Sequence, residues 1–186
     1  MKQDRARRTY EELLDAAAAE FVRHGFAATN LSDIAARTRL TKGALYGHFA
    51  SKADLADELT RGFEKEWAEL LAASGWTLGK LTIGLARRMD DDPRFAAGLR
   101  LVTDAAWADR REAVPIGELR ERLARLIGEA QSDGRIDTEH RPEALARLVL
   151  ALLMGTHHTR WGTGGSVAQV REMWEVLLPE PGAAEL

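Results

Sequence analysis

The chain has 186 residues with 26 Lys or Arg, 29 Asp or Glu, 45% hydrophobic residues and no Cys, which excludes a large multidomain enzyme, a disulfide scaffold, a thiolate zinc site and a Cys nucleophile. No uncharged apolar run reaches the ~20 residues that span a bilayer, and the basic start Met1 to Arg8 has no apolar segment after it, so a cytoplasmic protein away from membranes is expected. Charge is uneven: residues 1–52 hold nine bases and six acids, a net +3, and because the whole chain carries −3 the other 134 residues carry −6, a distribution that suits an anionic partner for the head.

Thr9-Tyr10-Glu11-Glu12 has the capping-box form and predicts a first helix from Tyr10 to His24. Along it Leu13, Leu14, Ala17, Ala18, Phe21 and Val22 recur at the spacing of one buried face, and Gly25 tolerates a left-handed stop. Thr29-Asn30 then offer side-chain oxygens for an N-cap, and Leu31, Ile34 and Ala35 give a short second helix ending near Thr38. Thr41 caps a third helix, Lys42 to His48, with Leu45 and Phe49 facing in and Lys42, Tyr46 and His48 facing out. Ser51-Lys52-Ala53-Asp54 caps a fourth running to about Ala73, where Leu55, Leu59, Phe63, Trp67 and Leu70 repeat at close to four residues. Two short helices joined by a tight turn, with small Ala35 in the first, match a helix-turn-helix that lays its second helix in the DNA major groove. The same pattern also fits an ordinary four-helix subdomain with Tyr46 and His48 on a solvated polar face.

The segments Thr29-Asn30-Leu31-Ser32-Asp33-Ile34-Ala35, Thr41-Lys42-Gly43-Ala44-Leu45-Tyr46-Gly47-His48-Phe49 and Ser51-Lys52-Ala53-Asp54-Leu55 closely resemble the TetR family of one-component repressors. The resemblance covers about the first 60 residues. It implies a homodimeric all-α regulator with a helix-turn-helix head over residues 1–50 and an effector-binding and dimerisation body over 51–186, about nine helices in all. It further implies that Thr41, Lys42, Gly43 and Ala44 open the recognition helix toward base edges and that Tyr46, His48 and Lys52 hold phosphates. Physical chemistry agrees, because hydroxyl and ammonium donors fix position on the anionic backbone and small residues let a helix approach the groove floor. Thr29 and Asn30 would add donors toward a phosphate. Two departures stand out. Arg39 replaces the Gly usual in the turn, which either reshapes the turn or brings the guanidinium to a phosphate. Gly47 replaces a larger, often aromatic residue, which removes one contact from the recognition helix.

In the body periodicity alone speaks, and it predicts helix throughout. Leu78, Leu81, Leu85 and Met89 form one stripe before Asp90-Asp91-Asp92-Pro93, and Phe95, Leu99, Val102, Ala106 and Trp107 form another before Pro115. A third, of Leu119, Leu123, Leu126, Ile127 and Ala130, stops at Ser132-Asp133-Gly134. Arg141-Pro142-Glu143 opens an apolar helix, and Val167 to Leu178 closes the helical part. The stretch Leu145 to Leu153 is apolar nearly all round, so it is expected to be buried, against a second copy as well as its own body. Leu145, Leu148 and Leu152, with Val170, Trp174 and Leu177 of the last helix, are the expected dimer contacts. Trp76, Leu81, Leu85, Leu99, Val102, Trp107 and Leu119 are candidate walls of an apolar effector pocket, although plain core is the usual explanation of large apolar residues at helical spacing.

Ala97-Gly98-Leu99-Arg100-Leu101, Gly155-Thr156 and Glu172-Met173-Trp174 resemble the γ-butyrolactone autoregulator receptors within that family. The tryptophan that such receptors use against the lactone falls here on Leu119, which leaves a lactone, a related furan or butenolide, an antibiotic or no effector at all. No cofactor and no metal are expected. Gly75 to Lys80 lacks the spacing of a phosphate loop, Gly162-Thr163-Gly164-Gly165 has no strand before it, and adjacent His157 and His158 would point about 100° apart on a helix. With no acid and base pair and no partnered nucleophile, an enzyme is not expected. The chain reads as a repressor released from a palindromic operator by a small apolar effector, with an effector-free DNA-binding regulator or structural protein as the rival.

Overall fold

The computed structural model describes residues 2–38, 40–136, 139–158 and 166–177, with Lys2, Lys42, Thr156, His157, His158, Val176 and Leu177 described by their backbone only. Among the described residues there are nine helices and no strand: α1 Lys2–Ala28, α2 Leu31–Thr38, α3 Lys42–Tyr46, α4 Lys52–Ala72, α5 Leu78–Asp91, α6 Pro93–Ala108, α7 Val114–Ser132, α8 Pro142–His158 and α9 Ser166–Leu177. They fall into two compact units, residues 1–72 with 92–113, and residues 73–91 with 114–186. The unit that holds the head therefore continues past residue 50 and takes in α4 and α6.

In the first unit a single apolar core joins five helices. Leu13, Ala17 and Phe21 of α1, Ile34 of α2, Leu45 of α3, Leu55 and Leu59 of α4, and Ala97 and Leu101 of α6 are all buried in it. α1 begins well before Tyr10, so Thr9 lies inside the helix and the capping box is not used. Lys, Gln, Arg and Ala are strong helix formers, and Arg8 pairs with Glu12 one turn on at 3.1 Å, which carries the helix back to Lys2. Its far end behaves as the sequence predicts, with Gly25 leaving the helical region at φ 73°. The positive φ is what asks for glycine; a Cβ there would also lie 2.9 Å from the end of the Asp104 side chain of α6, which would have to swing aside.

α6 is the element that sequence periodicity describes least well. Asp92 caps it by accepting from the backbone N–H of Arg94 and Phe95, and Pro93 follows at the first helical position. Gly98 lets it lie directly on α4, since a Cβ there would stand 2.2 Å from that of Phe63. Two arginines tie it to α1. Arg94 donates to the carboxylates of Asp15 at 2.7 Å and Glu11 at 2.6 Å and to the Glu11 carbonyl at 3.0 Å. Partial burial works against its charge, but the bonds to Asp15 and Glu11 outweigh it and hold its pKa above the ordinary value. Arg100 donates to the Val22 carbonyl near the other end of α1.

The second unit is assembled mainly from apolar faces. Leu78, Leu81, Leu85 and Met89 of α5 are buried, as are Leu119, Leu123, Leu126, Ile127 and Ala130 of α7. α7 ends at Ser132, and Gly134 takes φ 70° just beyond it, as the stop signal there predicts. Two buried polar links join α5 to α9. Trp174 Nε1 donates to Thr82 Oγ1 at 2.9 Å, and Asp90 accepts from both the backbone N–H and the hydroxyl of Ser166 at 2.8 Å, capping α9 from outside.

Candidate nucleic-acid interface

Three local caps set the geometry of the head. Asn30 Oδ1 accepts from the backbone N–H of Asp33 at 3.0 Å and so starts α2. Thr41 Oγ1 accepts from the backbone N–H of Ala44 at 3.2 Å and starts α3. Ser51 and Asp54 form a reciprocal capping box, in which Ser51 Oγ accepts from Asp54 N–H at 3.1 Å and Asp54 accepts from Ser51 N–H at 3.2 Å. Each cap is a side chain reaching a backbone group three residues away, so each follows from sequence.

α3 is shorter than the predicted Lys42 to His48, ending at Tyr46 with Gly47 as its C-cap. Leu45 and Phe49 anchor it inward, which turns Thr41, Gly43 and Tyr46 to solvent, and Tyr46 is 56% exposed. Ala44 is half-buried beside them. The Gly43 position faces nearly open space, with only the Thr41 hydroxyl within 4 Å of an added Cβ, at 3.9 Å. The exposed edge of α3 is thus bare at Gly43 and carries a phenol at its last turn. Arg39 and the side chain of Lys42 lie outside the described residues.

Three of the residues assigned to phosphates are engaged within the protein. Lys52 Nζ donates to the carbonyls of Phe26 at 2.6 Å, Ala27 at 3.4 Å and Thr29 at 2.8 Å, and lies 4.4 Å from the centre of the Phe26 ring. It is a cation set on the C-terminal carbonyls of α1, where the helix dipole favours positive charge. The Thr29 hydroxyl is buried and donates to the Gly25 carbonyl at 2.8 Å. His48 is half-buried with its ring 6.4 Å from that of Tyr10, which in turn stacks on Phe49 at 4.9 Å. Burial and the adjacent Glu58 carboxylate keep the Tyr10 phenol above its usual pKa and therefore neutral. Sequence reasoning missed a further link that holds the recognition pair in place: Arg37 of α2 pairs at 2.6 Å with Glu20 of α1, a carboxylate only 9% exposed.

The candidate effector walls divide between the units. Trp76, Leu81, Leu85 and Leu119 belong to the second, where the three leucines are fully buried and Trp76 half-buried. Leu99, Val102 and Trp107 belong to the first, where Leu99 is buried and Val102 half-buried. Trp107 is 85% exposed, against the expectation of an apolar stripe. Its neighbour Ala106 takes the buried position, and Trp107, set 100° round the last turn of α6, faces solvent instead.

The candidate dimer contacts also separate. On α8, Leu148 and Leu152 are 45% and 37% exposed in the single chain and Leu145 is half-buried, an apolar stripe turned outward. Val170 and Trp174 are buried against α5 and have no surface to give a second copy. Leu177 has no described side chain.

The family described as bacterial regulatory proteins, tetR family, matches residues 13–59, which include α2, α3 and the start of α4. The A-factor receptor protein of Streptomyces griseus is 30% identical over 96% of this chain, and the chain spans 65% of that receptor's length. A γ-butyrolactone receptor of known structure, described as an ArpA-like protein, is 31% identical, with a TM-score of 0.70 over 93% of this chain and 87% of that one. CprB from Streptomyces coelicolor, solved in complex with its biological operator sequence, is 30% identical, with a TM-score of 0.73 over 97% of this chain and 94% of that one.

Proposed function

Because the chain belongs to the tetR family of bacterial regulatory proteins, we propose that it is a homodimeric repressor that grips a palindromic operator with α3 of each copy and is released by a small apolar effector. The observation that carries this reading is the outward edge of α3. A helix capped by Thr41, bare at Gly43 and ending in exposed Tyr46 can enter a major groove, reading bases at its start and holding a phosphate at its end. Lys42 stands at the first helical position of the same element, where a cation meets the backbone. The outward Leu148 and Leu152 of α8 supply an apolar stripe for the second copy, and two half-sites one turn apart on DNA call for two heads roughly 34–36 Å apart.

The likeness to γ-butyrolactone receptors supports a lactone, butenolide or furan as the effector, with Leu81, Leu85, Leu119 and Trp76 as its walls. The full burial of Leu81, Leu85 and Leu119 favours a second reading, an effector-free regulator whose body is filled by its own side chains. Fluorescence anisotropy of the protein on its own upstream DNA tests both. We expect steep salt dependence, a requirement for a palindrome, and loss of specific binding in Lys42→Ala and Tyr46→Ala with helical content unchanged. Retention of operator binding by both variants would sink the docking. Release by a synthetic lactone or furan supports the first reading, and tight binding that none of them disturbs supports the second.

A further inference from the structure

A cavity of about 490 Å³ opens within the first unit, between the end of α1, α4 and α6. None of the body leucines expected around an effector contributes to it, and of the seven candidate wall residues Trp107 alone lines it. Its volume lies within the roughly 300–1,000 Å³ of small-molecule sites. Its floor is apolar, made of Leu101 with alanines from all three helices, and two aromatic side chains, Phe26 and the 85% exposed Trp107, stand at it. An indole so exposed at the mouth of an apolar hollow is a large hydrophobic surface that the protein's own core does not use.

The charged groups of this cavity have one sign. Asp57 of α4, Asp104 of α6 and the Thr60 hydroxyl line it, and no basic side chain does. Asp57 has no hydrogen bond or ion pair among the described residues, whereas Asp104 lies 3.6 Å from Arg100. The surrounding bases are already engaged: Arg100 on the Val22 carbonyl, Lys52 on the carbonyls of Phe26, Ala27 and Thr29, and Arg61, one turn along α4 from Asp57, on Glu58. Lys52 also covers the Phe26 ring at 4.4 Å, which leaves the Trp107 face as the open π surface.

From this juxtaposition of an uncompensated Asp57, an exposed Trp107 and an apolar floor we infer that the cavity is a binding site for an amphipathic organic cation. The apolar body of such a ligand fills the hollow over Leu101, its positive charge meets the Asp57 carboxylate, and Trp107 closes on it through its π face. A neutral molecule would gain nothing from the exposed Asp57 carboxylate, and an anion would be repelled by both carboxylates. The occupied site touches α1, α4 and α6, the helices that also hold α2 and α3 in place, so the ligand reaches the head without entering the body.

Tetraphenylphosphonium and tetraphenylborate test this directly, being nearly equal in size and shape and opposite in charge. Equilibrium dialysis of the full chain is expected to show one phosphonium per protomer and at least tenfold weaker uptake of the borate. Tryptophan quenching should accompany phosphonium binding and vanish in Trp107→Phe, which keeps an aromatic ring in place. Asp57→Asn should weaken phosphonium binding about two- to fivefold, as for loss of an exposed ion pair, with the thermal midpoint unchanged. Equal binding of the two ions, an Asp57→Asn variant that binds as the parent does, or a Trp107 inaccessible to acrylamide in the assembled protein would each overturn the assignment. No DNA enters the assay, so its outcome is separate from that of the repressor reading.

Discussion

The two compact units are held together by different chemistry. In the first, α6 and α4 are fixed to α1 by directional bonds: Arg94 to Glu11 and Asp15, Arg100 to the Val22 carbonyl, and Lys52 to the last carbonyls of α1. In the second, α5, α7, α8 and α9 meet mostly through leucines, with Trp174–Thr82 and Ser166–Asp90 as the buried polar links between α5 and α9. Apolar packing accepts exchanges of shape and volume at modest cost, while a bidentate arginine or a capped carbonyl fixes angle and distance. The difference teaches where geometry matters. The unit that carries the helix-turn-helix is braced against rotation of its helices, and the unit that carries the expected effector and dimer faces is built to be reshaped by substitution.

Gly98 is the hardest test of that bracing. Its missing Cβ would stand 2.2 Å from the Phe63 Cβ and 3.0 Å from the Leu59 carbonyl, a backbone group that cannot swing aside. Gly98→Ala therefore has to push α6 away from α4. An overpacked core costs about 3 kcal/mol at the upper end, and against a gain of up to about 1 kcal/mol in helix propensity we expect a net loss of about 2 kcal/mol. Thermal unfolding followed by circular dichroism checks it. A variant as stable as the parent would mean that α6 slides freely on α4, and the contrast between the units would collapse.

Lys52 separates bracing from DNA contact. Met in its place keeps the apolar stem over Phe26 and removes the charge-assisted bonds to Phe26, Ala27 and Thr29. The expected cost is about 1–2 kcal/mol, that of a half-buried cation at a helix C-terminus. If the ammonium held a phosphate, the slope of log binding constant against log salt would also fall by about 0.9. We expect the midpoint of unfolding to fall in Lys52→Met and the salt slope on DNA to stay as it is.

What was legible in the sequence is what is local. Asn30, Thr41, Ser51 and Asp54 each reach a backbone group three residues away, and the stripes of α2, α4, α5 and α7 show their buried faces at helical spacing. The pairing of Arg94 with Glu11 and Asp15 joins residues 83 and 79 positions apart, and no periodicity carries such information. Lys52 was assigned by resemblance to a phosphate because its place in the chain suits one, and only the folded end of α1 shows the carbonyls waiting for it. Trp107 continues an apolar stripe and reads as a candidate effector wall, but α6 ends at Ala108, and at this last turn the indole is left 85% exposed while Ala106 is buried. Val170 and Trp174 were assigned to a second copy because an amphipathic helix states that it has a partner without stating which, and here α5 fills that role.

The smallest expected effect sharpens the comparison from the second unit. Thr82 is fully buried on α5, and its hydroxyl donates to the Leu78 carbonyl at 2.8 Å while accepting from the Trp174 indole at 2.9 Å. Thr82→Val keeps the branched shape and leaves the indole N–H buried without an acceptor, a loss of about 1 kcal/mol. The Leu78 carbonyl still has its helical N–H, so no second group is stranded. Thr82→Ser, which keeps the acceptor and deletes one methyl, should cost a similar amount through the cavity alone. If valine costs much more than serine, α9 is held to α5 by a directional bond of the kind that braces the first unit. A valine loss much smaller than the serine loss is the result that packing by shape alone requires, because valine keeps the shape and serine leaves a cavity.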